Sequence, residues 1–247
     1  MINWASDSKS MIVHAQNGDS NYKSEIWKLA VTGEITKLYS PNLKLEKFTY
    51  SPDRSKIAYI IQGPNPKTGS PVYKLYVANT DFSDSIRIDK GFIGNYVWQS
   101  NSKGLIYSFD DRPNGNFDLW KATIDGTSKS KFAEALKSEE SFSGSSDGKY
   151  IAYSFSKSVY ISSTEIFSPK IIMSNAIGPK WISDRNLLLV FKEQTEGNGS
   201  WSEPCIIDLQ ANIVRKLPKR VNVTSFYSDG HHFLYNLDGD IWLDYLP

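Results

Sequence analysis

The stretch Tyr50-Ser51-Pro52-Asp53, followed by Lys56-Ile57-Ala58-Tyr59, decides the fold of this chain of 247 residues, because copies of it recur along the whole sequence. The copies are marked by a turn residue, Asp or Asn, and these markers lie 46, 48, 46, 37 and 45 residues apart, at Asp7, Asp53, Asn101, Asp147, Asp184 and Asp229. A repeat of this period indicates one supersecondary unit that is used many times.

Each unit has the pattern of a small antiparallel sheet. Asp and Ser favour a turn because their side chains bond to nearby backbone, and the apolar run that follows, such as Lys149–Tyr153, is typical of a buried strand. A third strand carries an apolar–aromatic pair such as Leu119-Trp120, and a turn such as Asp125-Gly126-Thr127 leads to a more polar fourth strand. Four antiparallel strands in a unit of about 45 residues predict a propeller blade, whereas helical periodicity is absent.

We therefore predict a single all-β domain, a six-bladed β-propeller with four-stranded antiparallel blades. The predicted blades span about residues 1–41, 46–90, 94–135, 140–175, 177–218 and 221–247. The last blade is incomplete, because no fourth strand follows Ile241–Tyr245. Either the ring closes imperfectly, or the natural chain has further residues upstream. The second explanation is favoured, since an open sheet edge promotes aggregation.

The aromatic-Ser-Pro-Asp-Gly-Lys-x-Ile-Ala-Tyr pattern, seen best in Tyr50–Tyr59 and Gly144–Tyr153, resembles the WD40-like (PD40) repeat of TolB-type β-propellers. The resemblance covers all six units, and blade five matches least well. It implies a protein-binding scaffold in a periplasmic or otherwise extracytoplasmic location, although the amino-terminal α/β domain of TolB has no counterpart here. The same repeat forms the propeller of prolyl-oligopeptidase-type enzymes, whose chemistry lies in a separate hydrolase domain.

The bulk composition narrows the class of partner. With 28 basic and 27 acidic residues the net charge is +1, which does not favour a nucleic-acid partner. The single cysteine, Cys205, excludes an intramolecular disulfide and is expected to be buried. No apolar run approaches the roughly 18 residues of a membrane span, and Met1–Trp4 enters the first repeat without a secretory signal. We expect a monomer without membrane insertion.

Residues that could carry chemistry are few. Gly144–Gly148 matches the G-x-S-x-G pattern of a nucleophile elbow, but it falls at the turn of the repeat, with a strand after it instead of a helix. Asp110–Asp118 resembles a calcium loop, yet Arg112 stands at its third position, where an oxygen ligand is required. The histidines, at positions 14, 231 and 232, show no triad pattern. We predict no catalytic residue, no metal site and no cofactor.

The loops between second and third strands are long and irregular, and in a propeller they share one face. They run at about 16–24, 62–71, 110–116 and 192–202, and such loops on a rigid scaffold usually carry binding. The candidate binding residues are Tyr22, Asn65, Tyr73, Arg112, Asn116 and Trp201. The leading hypothesis is a non-catalytic propeller that binds a protein or peptide through this face. Two alternatives stay open: the gating propeller of a larger hydrolase, and a propeller that binds a glycan or small molecule.

Overall fold

The computed structural model describes the chain apart from residues 1, 5–8, 17–23, 42, 111–115, 138–141, 183–185, 197–198, 219–221, 227–231, 238–239 and 246–247. The described residues form β-strands, turns and bends, with no helix among them, so the all-β prediction is confirmed. It follows that none of these residues belongs to a helix of the length and apolar character needed to cross a membrane.

The described strands, in chain order, are β1 (Ile2–Trp4), β2 (Ser10–Gln16), β3 (Ser24–Ala30), β4 (Ile35–Tyr39), β5 (Lys44–Tyr50), β6 (Lys56–Pro64), β7 (Pro71–Asn79), β8 (Ile86–Trp98), β9 (Gly104–Asp110), β10 (Asn116–Thr123), β11 (Lys129–Lys137), β12 (Phe142–Gly144), β13 (Tyr150–Phe155), β14 (Ser158–Ser163), β15 (Lys170–Ser174), β16 (Ala176–Ile182), β17 (Leu187–Glu196), β18 (Gly199–Ile207), β19 (Ile213–Lys216), β20 (Asn222–Phe226), β21 (His232–Leu237) and β22 (Asp240–Tyr245).

Neighbouring strands in each sheet are consecutive in the chain and antiparallel, so short hairpins suffice to connect them. β1–β4, β12–β15 and β16–β19 each form a four-stranded sheet, β5–β11 form a seven-stranded sheet, and β20–β22 form a three-stranded one. Closure of six blades into a ring stays a prediction.

The seven-stranded sheet arises because β8 serves two successive units. Its first half pairs with β7, from Val77 opposite Ile86 to Tyr73 opposite Gly91, and its second half pairs with β9 from Phe92 onward. The change of partner falls at Gly91, whose φ is +148° and where a Cβ would lie 2.7 Å from a ring carbon of Phe109. Glycine is therefore required at this junction. The sequence predicts a boundary between two blades at the same place, between residues 90 and 94.

The recurring Ser-x-Asp motif builds the turn between the first and second strands of a unit. The Ser51 hydroxyl donates to Asp53 Oδ1 at 2.6 Å and accepts from the Lys56 amide at 3.0 Å. Ser145 and Asp147 repeat this arrangement, with an O–O distance of 2.7 Å. The predicted turn at Gly144–Gly148 is thereby confirmed, and β13 follows it at Tyr150.

The core lies between successive units. One buried cluster joins Ile12 and Ile26 of the first unit to Phe48 and Tyr59 of the second. Similar clusters join the second unit to the third, the third to the fourth, and the fourth to the fifth, the last of these including the buried Cys205. Face-to-face packing of this kind buries both faces of each internal sheet, as expected of stacked blades.

Candidate functional site

Strand pairing brings several predicted binding loops to one edge of the seven-stranded sheet. Pro64 lies opposite Pro71, Tyr73 opposite Gly91, and Phe92 opposite Asp110. Loop 65–70, the junction 91–94 and the carboxyl end of β9 therefore share this edge, which we call the long-loop face. The start of β3 joins them, because the Ser24 hydroxyl accepts a hydrogen bond from the Leu45 amide at 2.8 Å.

The candidate residues divide according to where the strands place them. Asn65 opens loop 65–70, and its Oδ1 accepts from the Lys67 amide at 2.9 Å, so this side chain shapes the loop. Tyr73 lies on β7 and is half-buried beside a cleft. Asn116 begins β10, where only its backbone is described. Tyr22 and Arg112 lie outside the described residues.

Trp201 belongs to a different sheet and lies on a strand, so the predicted loop at 192–202 is wrong. β17 and β18 continue through this stretch as a hairpin, with Gln194 opposite Trp201 and Glu196 opposite Gly199. No proline lies between Lys192 and Ser202, so no residue of this segment lacks the backbone N–H that a strand ladder uses. Trp201 is thus separated from Asn65 and Tyr73 by one intervening sheet in the chain order, β12–β15.

A cleft of about 640 Å³, called here the inner cleft, opens where β5 and the second half of β8 meet the long-loop face. Its polar groups largely satisfy one another: Lys44 Nζ lies 2.9 Å from Glu46 Oε1, and Lys47 Nζ donates to Asn95 Oδ1 at 2.6 Å. Its apolar surface comes from Tyr73, Phe92 and Phe117, among other lining residues. The inner cleft is therefore an aromatic depression whose charges are internally compensated.

A second depression of about 690 Å³, called here the outer groove, lies on the other side of Phe92. Its floor and walls include Pro64, Val72, Lys74, Arg87, Lys90 and Phe92. Phe92 lines both depressions and is 55% exposed, which is unusual for a large aromatic side chain in a packed sheet. Both volumes fall in the range of about 300–1,000 Å³ that is typical of ligand sites.

His14, which showed no partner in the sequence, lies on β2 close to the same edge. Its Nε2 is 3.0 Å from the Ser24 hydroxyl, and burial lowers the pKa of the imidazole below its ordinary value. The ring is therefore neutral at pH 7 and takes part in holding the start of β3. Among the described residues, no group of three or more His, Cys, Asp or Glu side chains is arranged to hold a metal ion.

Most residues that line these depressions were not candidates from the sequence, and they include Lys74, Arg87, Lys90 and Phe92. Phe92 lies between the predicted second and third blades, and its exposure follows from the change of partner at Gly91. The three cations look like ordinary strand residues until the register of β7 against β8 is known. In the sequence, the only sign of these three cations is a charged residue at alternate strand positions. Most exposed strands show the same pattern.

No family model and no curated protein matches this chain. Among solved structures, it is similar to an oligogalacturonate lyase in complex with manganese (TM-score 0.69, 14% identity, 100% of this chain and 76% of that one). TolB from Acinetobacter baumannii is similar over 97% of this chain and 64% of its own, with a TM-score of 0.60 and 15% identity.

The β-propeller domain of the Trilobed protease from Pyrococcus furiosus, described as having an open velcro topology, gives a TM-score of 0.60 at 16% identity. This similarity covers 95% of our chain and 76% of that one. Identities this low establish the fold alone. Together with the consecutive antiparallel sheets, these similarities show that the chain has a β-propeller fold.

Proposed function

We propose that this chain is a non-catalytic β-propeller scaffold that binds a segment of a protein or peptide on the long-loop face. The observation that carries the proposal is the position of Phe92, which is 55% exposed between depressions of about 640 and 690 Å³. An exposed aromatic side chain flanked by concave surface is the usual anchor of a recognition site, since it buries a large apolar area at small entropic cost.

The supporting surface is both apolar and rigid. Tyr73 and Phe117 contribute aromatic area to the inner cleft, while prolines 64 and 71 flank the loop that bounds the outer groove. Phe92 and Tyr73 are held by the paired backbones of β7, β8 and β9, so little order needs to be gained on binding. An extended segment that lay across Phe92 would contact both depressions.

A peptide array probed with the purified chain, followed by titration of the best peptides, tests the proposal. Phe92→Ala and Tyr73→Ala are expected to weaken binding by about tenfold or more, as for the loss of an interface anchor. Ile171→Ala is the matched control, because Ile171 is 50% exposed on β15, in another sheet. Absence of peptide binding, or equal loss in the control, would contradict the proposed function.

A second candidate is the propeller domain of a larger hydrolase, in which the same face would select or admit substrates. The similarity to the propeller domain of a protease favours it, since that domain is part of a peptidase. The complete gene distinguishes the two functions: a neighbouring α/β-hydrolase domain supports the second candidate, and its absence supports a free-standing scaffold.

We also assign the repeat to the PD40 class and place the protein outside the cytoplasm, as the resemblance implies. The repeated Ser51–Asp53 and Ser145–Asp147 turns and the similarity to TolB support the assignment. Fractionation of cells that express the complete gene measures the location, and recovery in the cytoplasmic fraction alone would exclude it.

A further inference from the structure

We propose that the outer groove binds an extended, acidic segment of the partner, whose carboxylates meet Lys74, Arg87 and Lys90 while an apolar side chain covers Phe92. This inference rests on the proposed function and names the chemistry of the segment that is bound. Three observations support it: the register of β7 against β8, the absence of acidic residues from the lining of the groove, and the apolar character of its walls.

The register of β7 against β8 places two like charges directly opposite each other. Lys74 pairs with Lys90, and a bulge in the next positions brings Arg87 opposite Tyr76, two residues along β7 from Lys74. Like charges that face each other across an antiparallel pair destabilise the sheet. An anion bound between Lys74 and Lys90 removes this repulsion. The positive charge of the unoccupied groove therefore favours binding of a carboxylate.

Among the described residues, no acidic side chain compensates these cations. None of the residues that line the outer groove is Asp or Glu, and no ion pair joins Lys74, Arg87 or Lys90 to another described residue. Asp89, which lies between Arg87 and Lys90 in the sequence, is engaged elsewhere: it accepts from the Tyr107 hydroxyl at 2.8 Å and pairs with Lys129. The groove therefore carries three positive charges that no described neighbour neutralises.

The inner cleft differs from the outer groove in this respect. It also contains two lysines, but Lys44 is paired with Glu46, and Lys47 donates to Asn95 Oδ1 and to the Tyr96 carbonyl oxygen. A carboxylate brought there would have to displace existing partners, whereas in the outer groove it would meet cations that are free to rearrange around it. The acidic part of the segment is thus assigned to the outer groove.

The walls favour a peptide over a polyanion such as nucleic acid. Pro64, Val72 and Phe92 supply apolar surface, which rewards hydrophobic side chains and offers nothing to a phosphate backbone. In an extended peptide, side chains alternate between two sides, so acidic and apolar residues in alternation can face cations and apolar wall at once. Arg87 can bind a carboxylate with two parallel hydrogen bonds.

The probe is a short fluorescein-labelled peptide in which Glu alternates with Leu, and its partner is the same peptide with Gln in place of every Glu. Fluorescence anisotropy with the complete chain gives both affinities. We expect the Glu peptide to bind at least about tenfold more tightly than the Gln peptide, with an advantage that shrinks as salt is added. Equal affinity for the two peptides overturns the proposal.

The variant Lys74→Gln/Lys90→Gln and the variant Arg87→Gln test the assigned cations. Each is expected to reduce affinity for the Glu peptide by about five- to tenfold, with little effect on the Gln peptide. Lys170→Gln is the matched control, since Lys170 is an exposed lysine of β15 that lies opposite Ile161 instead of another cation. Circular dichroism confirms that each variant is folded before it is titrated.

The remaining outcomes separate this inference from the proposed function. If peptides bind and depend on Phe92 and Tyr73 but not on the three cations, the proposed function holds and the acidic-segment inference fails. If polyuridylate or vesicles of anionic lipid bind more tightly than the Glu peptide through the same cations, the peptide assignment is overturned. If neither labelled peptide binds and no peptide on the array binds either, both proposals fail.

Discussion

The Ser51–Asp53 turn and the outer groove are both polar regions of the seven-stranded sheet, but they differ in whether their polar groups have partners. In the turn at Ser51, the hydroxyl and the Asp53 carboxylate are bonded to each other and to the amides of Ser55 and Lys56. In the groove, Lys74 faces Lys90 without a counter-ion among the described residues. Polar residues that recur build the scaffold, whereas polar residues that occur once and lack partners are candidates for binding.

The largest expected effect concerns the turn that packs most closely against its neighbour. At Gly148, with φ +68°, a Cβ would lie 2.7 Å from the backbone of Gln99 and Ser100. Gly148→Ala is expected to lower the free energy of unfolding by about 2–4 kcal/mol, through backbone strain and overlap together. Urea denaturation measures it.

The control for this prediction is Gly33→Ala, in another hairpin turn. Gly33 has φ +92°, but nothing lies within 4 Å of its added Cβ. The expected loss there is about 1 kcal/mol, from the left-handed conformation alone. Arg54 and Ser102 adopt φ +58° at the turn position that Gly148 occupies, so the overlap should dominate. Equal losses at 148 and 33 would show that the turns do not pack as tightly as the structure indicates.

The next effect tests the hydrogen bonds inside a turn. Ser51→Ala removes the donor to Asp53 and the acceptor of the Lys56 amide, and the hydroxyl is buried. We expect a loss of about 1–2 kcal/mol in the free energy of unfolding. Ser100→Ala, in the corresponding turn of the next unit, removes a hydroxyl that bonds to no described residue and should cost less than about 0.5 kcal/mol. A reversed order would mean that the motif is not what stabilises the turn.

The same turn predicts a pH dependence. The hydrogen bond from the Ser51 hydroxyl, together with those from Ser55, lowers the pKa of Asp53 to about 2. Because the folded-state pKa is below the unfolded value of about 3.9, the stabilisation is complete above that value and is lost as the pH falls towards 2. Asp53 is exposed, so the contribution should not exceed about 1 kcal/mol.

Thermal unfolding of the chain and of Asp53→Asn between pH 5 and pH 2 tests this dependence. Asp53→Asn should lose less stability than the original protein between pH 5 and pH 2. The difference in stability between the two proteins should therefore narrow towards pH 2. Asp125, whose pKa is also lowered to about 2 by the Thr123 hydroxyl, supplies a second contribution that stays in the variant. Parallel curves for the two proteins would contradict the assignment to Asp53.

The smallest effect has the opposite sign and concerns the groove. Lys90→Glu replaces a repulsion with an attraction opposite Lys74, so it is expected to raise the free energy of unfolding by about 0.2–1 kcal/mol. Lys170→Glu, opposite Ile161, should leave stability within about 0.5 kcal/mol of the original. If Lys90→Glu is stabilised and no longer binds the acidic peptide, the repulsion between Lys74 and Lys90 is retained for binding. If the variant is destabilised, the electrostatic argument fails.

The repeated parts of the fold could be predicted from sequence because their chemistry is local. Ser51 and Asp53 bond within the same turn, and so do Ser145 and Asp147, so each copy of the motif carries its own evidence. The two-residue connection at Ser156-Lys157 is equally local, and both residues adopt positive φ, as such hairpins require. The loop at 192–202 was not predicted correctly, since pairing from Gln194 to Glu196 depends on a partner strand.

The candidate site was predictable only in part. The long-loop face and the positions of Asn65 and Tyr73 at its edge follow from the order of strands in a unit. Phe92 could not be predicted as a site residue, because its exposure depends on a strand that changes partner at Gly91, where two units share one sheet. Nothing in the local sequence distinguishes this Phe from the buried aromatic residues of the neighbouring strands.

By itself the sequence determined the all-β repeat, the turn chemistry and the face that carries the long loops, because these depend on residues close to one another in the chain. Only the tertiary structure decided that β8 joins two units, that Phe92 stands between two depressions, and that Lys74 faces Lys90 without a counter-ion in the part of the chain that the structure describes. These features depend on register between strands, and register is set by packing between successive sheets. Charge compensation is a property of neighbours in space, which a linear pattern does not contain.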